Sequence, residues 1–225
     1  MGCAFCASTI GGKVRDLLPS ELLGQVIAAE HDVGERISNI VMMGIGEPLD
    51  NYANVIKFLK LVGLEDGINI GYRHISVSTC GIVPRIYDLA KLDMPITLSI
   101  SLHSSRDEER SEIMPVNRRW GVGELLTACR DYYKSTGRRI SFEYTLIGGK
   151  NDSLDDAKAL AKLLIPVHAG IQLQAVLLPI MTIYAGFGIA IGGYPVDAQA
   201  AGGIQLLETV LTIDCQVGAV LIHLS

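Results

Sequence analysis

Basic charge is what the last part of this sequence lacks. All 19 Lys and Arg lie in residues 1–165, and residues 166–225 contain none, with Asp197, Glu208 and Asp214 as their only acids. A soluble surface normally interleaves both signs. The composition therefore breaks near Ile165, separating residues 1–165 from a charge-poor segment, 166–225. No charged side chain occurs between Ala169 and Val196, a run long enough to span a bilayer. Gln172, Gln174 and Pro179 interrupt it, and Lys/Arg flanks are missing. A membrane role is therefore disfavoured but kept as an alternative. A basic excess is absent too: 24 acids against 19 bases leave a net charge of −5, without the footprint of a nucleic-acid binder. No secretory leader is evident, since Gly2-Cys3 follows Met1 directly. Five cysteines make an odd count, which argues for a reducing, cytoplasmic compartment rather than a disulfide framework.

What is present excludes disorder. Apolar residues make up 49% of the 225 and charged residues 19%, enough for a real core and for one domain, with or without an appendage. The patterning alternates. A helix is predicted from Pro19-Ser20, with Ser20 as N-cap and Leu22, Leu23, Val26 and Ile27 as its apolar stripe. A short apolar run, Ile37 to Met43, reads as a buried strand ending in the loop Gly44-Ile45-Gly46-Glu47-Pro48. Helical spacing returns over Tyr52–Val62, then a β-branched strand over His74–Thr79, and Pro84 opens a helix through Leu92. Ile96–Leu102 is a strand with His103 at its end. Gly123–Tyr133 reads as a helix, Arg139–Ile147 as a strand, and Asp152 or Ser153 caps a helix to Leu164. Ile171–Leu178 is the last strand. Strand and helix alternating at this interval predict parallel βαβ units. Such sheets carry their chemistry on loops at the carboxyl ends of the strands. Glu47, Ser78, Ser101 and His103 all fall there.

Cys3-Ala4-Phe5-Cys6 is a C-x-x-C pair, whose two thiolates can reach one metal, one cluster or each other. Zinc requires two more ligands, and Cys80, Cys129 and Cys215 stand apart. An iron–sulfur cluster also requires further thiolates. Spacing alone leaves a small zinc domain, a cluster and incidental cysteines open. Around the loops, Gly44 and Gly46 are equally readable as turn glycines, Glu47 as a helix-dipole cap and His103 as an end-of-strand histidine.

The segments GCAFCAST, MGIGEPLDNY, RHISVSTCG, SISLHSSRDEERSEIMPVNRR, FEYTLI and ND occur in this order. Together they resemble the bacterial dual-specificity RNA methyltransferases, radical S-adenosylmethionine enzymes that methylate C2 of adenine in 23S rRNA and tRNA. The resemblance covers residues 2 to about 164. It implies a partial (β/α)6 barrel, an α/β fold with its first strand missing. Residues 1–165 would form an incomplete radical SAM core, and residues 166–225 would complete or replace the end of the barrel. The implied cofactors are S-adenosylmethionine and a [4Fe–4S] cluster. Cys3 and Cys6 match the second and third cysteines of the family's C-x-x-x-C-x-x-C; the first would precede Met1, as would the family's accessory domain. Gly46 and Glu47 match the pair that contacts the methionine moiety, Ser78 a cofactor-contacting serine, and Ser101, Leu102 and His103 the SLH cofactor segment. The carboxyl-terminal motif has only a faint echo in Ile213-Asp214-Cys215-Gln216, which makes Cys215 the candidate methyl carrier. Where the family has a cofactor-contacting Asn after a Leu-Ile-Pro segment, this sequence has Met181 after Leu178-Pro179-Ile180.

In the intact family, one S-adenosylmethionine methylates the carrier cysteine and a second is cleaved to a 5′-deoxyadenosyl radical. With one cluster ligand unmatched, this chain is expected to be weakly active or inactive. The implied partners are 23S rRNA and tRNA, with no stable protein partner. Arg118-Arg119-Trp120 and Arg138-Arg139 are candidate RNA contacts, or simply a solvated face.

Overall fold

Short β-branched runs bounded by glycine, proline or a polar cap become the strands, and the stretches with apolar residues at helical spacing cover them. The computed structural model describes residues 1–43, 46–167, 170–177, 190–191, 194–195 and 221–223. Five strands, β1 (Asn39–Met42), β2 (Ile75–Thr79), β3 (Thr97–Ser101), β4 (Ile140–Ile147) and β5 (Gly170–Leu177), pair in chain order, each parallel to the next. Helix α1 (Pro19–Val33) precedes β1. Crossovers run through α2 (Tyr52–Val62), α3 (Val83–Ala90), α4 (Asp107–Ile113) with α5 (Val122–Thr136), and α6 (Leu154–Leu164). This is the sequentially ordered α/β sheet expected of a partial (β/α)6 barrel. No strand precedes β1 among the described residues. On that side β1 is bordered instead by the antiparallel β8 (Leu221–His223), while β6 (Ala190–Ile191) and β7 (Tyr194–Pro195) follow β5 at the opposite edge. The first eight residues after Ala169 in the uncharged run are thus β5, a strand of the sheet. No helix among the described residues is long and apolar enough to cross a membrane.

The apolar periods put their residues where the core is. Val55, Phe58, Leu59 and Val62 of α2 are buried at the i, i+3, i+4, i+7 spacing. They join Val77, Leu98, Ile100 and Phe142 of the strands in the main core. Two local expectations change. Pro19 occupies the first turn of α1 and Leu18 is its N-cap, so Ser20 lies inside the helix; the carboxylate of Glu21 accepts the Leu18 N–H instead. For α6 the cap is Ser153, whose Oγ accepts from the Asp156 N–H while Asp156 accepts from the Ser153 N–H.

Alternation along the strands decides what faces the site. Side chains two apart share a face, so Ser76 and Ser78 of β2, Ser99 and Ser101 of β3 and Glu143 of β4 form one polar stripe. Their neighbours Val77, Leu98, Ile100 and Phe142 point the other way, into the core. The register places Ser101 opposite Glu143. A second, small apolar cluster of Cys80, Ile113, Met114 and Val116 caps the carboxyl ends of β2 and β3, with Cys3 and Phe5 packed against it.

Candidate cofactor site

The site is assembled on the loops leaving β1, β2 and β3 and on the body of β4. Gly46 has φ of 95°, a conformation that favours glycine, and a Cβ there would meet open space. The next residue, Glu47, turns its carboxylate back to the sheet: Oε1 accepts from the Leu49 N–H at 2.9 Å and Oε2 from the Cys80 N–H at 2.7 Å. This joins the loop after β1 to the end of β2. Burial raises the Glu47 pKa, against the lowering effect of those hydrogen bonds.

Ser78 and Ser101 meet on one carboxylate. Their hydroxyls donate to Glu143 Oε2 at 2.8 and 2.9 Å and lie 3.4 Å from each other. Glu143 is 3% exposed, and its Oε1 is buried with no hydrogen-bond partner among the described residues. Burial is the main cause of its raised pKa, the two serines oppose it, and the negative Glu47 adds to it.

Leu102 is fully buried, and both its backbone groups are engaged: the N–H donates to the Glu143 carbonyl and the carbonyl accepts from Arg110 Nε. Its contribution is shape. His103 follows with φ of 59°, uncommon for a side-chain-bearing residue. Two contacts hold it there. Nδ1 accepts from the Thr145 N–H at 2.9 Å, and the His103 carbonyl accepts from Asn151 Nδ2 at 2.6 Å. Because Nδ1 accepts, the ring proton of the neutral form is on Nε2. Burial, helped by the positive Arg110, pushes the His103 pKa down to about 3, so the ring is neutral near pH 7.

The C-x-x-C loop docks on the same end of the sheet. The Ala4 N–H donates to the Ile113 carbonyl at 2.8 Å, Thr9 Oγ1 donates to the Cys6 carbonyl, and the Phe5 ring meets His103 edge-on at 4.9 Å. Cys3 and Cys6 are half-buried free thiols. Burial and the proximity of Cys6 raise the Cys3 pKa, partly offset by the chain's positive amino terminus and Arg110. Among the described residues no group of three or more His, Cys, Asp and Glu side chains is placed to hold a metal ion. Cys215 and Met181 lie outside the described residues.

Sequence reading missed three of the residues that build this site. Arg110 is fully buried and donates to the Leu102, Cys80 and Ser101 carbonyls and to Asn117 Oδ1, tying together the ends of β2 and β3. Asn151 fixes His103 as described. Glu143 carried a signal that was legible: it is a lone acid in the otherwise uncharged strand of Phe142, Tyr144, Thr145, Leu146 and Ile147. Of the basic groups, Arg138 and Arg139 immediately precede β4 at the opposite end of the sheet, where Arg138 Nε is bound to the Ile96 carbonyl. Arg119 lies over the Trp120 ring at 4.6 Å, and Trp120 packs against the small cluster beside the C-x-x-C loop.

Comparisons with known proteins agree with this arrangement. The sequence profile of the radical SAM superfamily matches residues 1–164. A curated protein of Clostridium acetobutylicum named "Probable dual-specificity RNA methyltransferase RlmN" is 55% identical over 183 residues, covering 81% of this chain and 52% of that protein. Its namesake in Clostridioides difficile is 58% identical over 164 residues, covering 73% and 48%. The chain therefore spans about half the length of the curated relatives it matches. Among solved structures, a radical SAM methyltransferase from Sphaerobacter thermophilus superposes with a TM-score of 0.74 at 44% identity, over 76% of this chain and 51% of that one. SuiB of Streptococcus suis, solved with S-adenosylmethionine bound, shares the fold at a TM-score of 0.55 and 16% identity, over 79% of this chain and 38% of its own. With a polar stripe at the carboxyl ends of parallel strands and a superfamily match over residues 1–164, the chain belongs to the radical SAM superfamily.

Proposed function

We propose that this chain carries the S-adenosylmethionine-binding core of a methyltransferase acting on C2 of adenine in 23S rRNA and tRNA. The observation that carries the reading is the convergence of Glu47, Ser78, Ser101 and His103 on one end of the sheet, in a chain 55% identical over 183 residues to a protein named as a probable dual-specificity RNA methyltransferase. The superfamily's cofactors are S-adenosylmethionine and a [4Fe–4S] cluster, and the residues present suit them unequally.

S-adenosylmethionine suits the site. It offers an ammonium, a positive sulfonium and two ribose hydroxyls, and the site offers two carboxylates, the half-buried Glu47 and the buried Glu143, the latter with an oxygen unpaired among the described residues. Gly46 and Glu47 hold the methionine end. Ser78, Ser101 and the SLH turn at Leu102 and His103 line the remainder, while Phe5 and Leu102 exclude water. When bound, S-adenosylmethionine supplies the methyl group. Cys215 is the residue that would carry it. The cluster is less well served, because Cys3 and Cys6 provide two thiolates and the described residues do not by themselves make a three-thiolate site. Turnover by this chain alone is expected to be weak.

On the same reading, residues 1–165 form the incomplete radical SAM core, and residues 166–225 complete or replace the end of the barrel, in a cytoplasmic protein. The membrane and zinc readings gain no support: Gly170–Leu177 pairs with β4, and no third ligand joins Cys3 and Cys6 among the described residues. The test is anaerobic reconstitution with iron and sulfide, then incubation with dithionite as the one-electron reductant, methyl-labelled S-adenosylmethionine and either 23S rRNA or tRNA. Cofactor binding with label on adenine C2 supports the proposal. A protein that takes up zinc, binds no S-adenosylmethionine and labels no RNA overturns it.

A further inference from the structure

Cys3 and Cys6 are half-buried free thiols, whereas Cys80 and Cys129 are only 8% and 0% exposed. An oxidant in solution therefore meets the C-x-x-C loop before the other described thiols. The loop is a tight turn. The Cys6 N–H donates to the Cys3 carbonyl at 3.2 Å, which makes the two cysteines the first and fourth residues of a β-turn. Such a turn brings its end Cα atoms within about 7 Å, and a disulfide spans roughly 4.4–6.8 Å between Cα atoms. Cys6 is also near enough for its charge to raise the Cys3 pKa. The backbone around the turn is anchored without the sulfurs: the Ala4 N–H donates to the Ile113 carbonyl, and Thr9 Oγ1 donates to the Cys6 carbonyl. Closing a bridge breaks neither hydrogen bond.

Among the described residues no third metal-binding side chain joins these two. A pair of thiols is short of a three-thiolate site but complete for a disulfide, and a bridge would take both away from metal at once. We propose that Cys3 and Cys6 form a redox-sensitive pair, whose reversible disulfide withdraws both thiolates from metal. The metal half rests on the cluster reading above; the disulfide half does not. The reaction is exchange with a small disulfide such as oxidised glutathione. One thiolate attacks a glutathione sulfur, giving a mixed disulfide and releasing one glutathione. The other thiolate then displaces the second glutathione and closes the Cys3–Cys6 bond. The protein loses two electrons and two protons, which leave with the two glutathiones. Excess reduced glutathione reverses both steps.

The full chain, freed of metal by chelation, is equilibrated anaerobically at rising ratios of oxidised to reduced glutathione, quenched in acid, labelled with N-ethylmaleimide and digested with trypsin. Lys13 is the first basic residue, so both cysteines fall in the peptide 1–13. That peptide is expected to carry two labels when reduced and, when oxidised, none, at a mass lower by two hydrogens. A second sample is first loaded with iron and sulfide, desalted and checked for iron, then given the ratio that closes the metal-free chain. Its peptide is expected to resist closure. A peptide that holds glutathione, or is joined to another peptide, in place of the internal bridge overturns the proposal, as does one that stays doubly labelled at every ratio. Equal closure with and without bound iron also overturns it and leaves the cluster to other ligands. No iron uptake by the reduced chain removes the cluster reading itself and the metal half with it.

Discussion

At the scale of single residues the site holds groups that titrate in opposite senses. His103 is a base whose pKa is depressed on folding, from 6.5 to about 3, so the fold favours its neutral form. Its contribution to stability is present above pH 6.5 and is lost as pH falls toward 3. Glu47 and Glu143 are acids with raised values, so their contribution is fully present below the unfolded value of 4.5 and is lost as pH rises through the folded one. A parent-minus-variant comparison isolates each. His103→Asn keeps an acceptor for the Thr145 N–H and tolerates the left-handed backbone. Between pH 7 and pH 5 the parent should lose about 2 kcal/mol more stability than this variant. Urea midpoints at the two pH values measure it, and parallel losses would contradict a buried neutral His103. Removing a donor from Glu143 is the complementary change. Ser78→Ala or Ser101→Ala should each cost about 1.5–3 kcal/mol at pH 7, read from the same urea curves.

At the scale of elements, α4 shows how a helix without an apolar stripe is held. Its sequence, Asp-Glu-Glu-Arg-Ser-Glu-Ile, is almost entirely polar, and hydrophobic periodicity gave no sign of it. The helix is fixed by Arg110, buried beneath it, and by Asp107, whose Oδ1 accepts from the Val122 N–H and from Asn117 Nδ2. Gly121 stands beside that carboxylate, where a Cβ would approach Oδ1 to 2.8 Å. Arg110→Met should fill much of the volume but remove the guanidinium from the Cys80 and Ser101 carbonyls and the Asn117 amide oxygen, while the Leu102 carbonyl keeps the Ser104 N–H. Its expected cost is roughly 3–5 kcal/mol in chemical denaturation, with Arg110→Lys recovering part of it. A loss below about 1 kcal/mol would show that water replaces the guanidinium, as at a surface site.

At the scale of the molecule, the two ends of the sheet divide the work. The carboxyl ends carry the polar site and the C-x-x-C loop. Arg118 and Arg119 are exposed near that loop, whereas Arg138 and Arg139 sit at the far end. If RNA approaches the cofactor end, Arg118→Ala combined with Arg119→Ala should weaken RNA binding and reduce its salt slope by about 1–2. Arg138→Ala with Arg139→Ala should change neither, and filter binding at two salt concentrations distinguishes the pairs. Order should divide in the same way. β2 and β3 are paired on both sides and covered by helices, while Ile10 and Val14 are 89% and 92% exposed. Amide exchange in Ile75–Thr79 and Thr97–Ser101 should be far slower than in residues 8–14.

Periodicity carried much of this molecule by itself. The β-branched run Ile75–Thr79 and the apolar stripe of Tyr52–Val62 lie where their local patterns put them, because a strand or helix face is written within a few turns of chain. Glycine and proline then mark the loops where the strands end, so Glu47, Ser78, Ser101 and His103 were legible as a set. The partners of those residues were not. Ser78 meets Glu143 across 65 residues, Arg110 draws its acceptors from β2, from the end of β3 and from the turn at Asn117, and Asn151 holds the backbone of His103. A buried polar network has no local period. Its members are chosen by register between strands and by the need to satisfy each donor and acceptor away from water, and those constraints exist only once the sheet has formed. The sequence alone therefore determined β1 to β5, most of the helices and the placing of Glu47, Ser78, Ser101 and His103 at the carboxyl ends of the strands, whereas β6, β7 and β8 lie beyond the expected last strand and had no local signal. Only the tertiary structure decided that the one charged residue of β4 meets Ser78 and Ser101, and that one of its oxygens has no hydrogen-bond partner among the described residues.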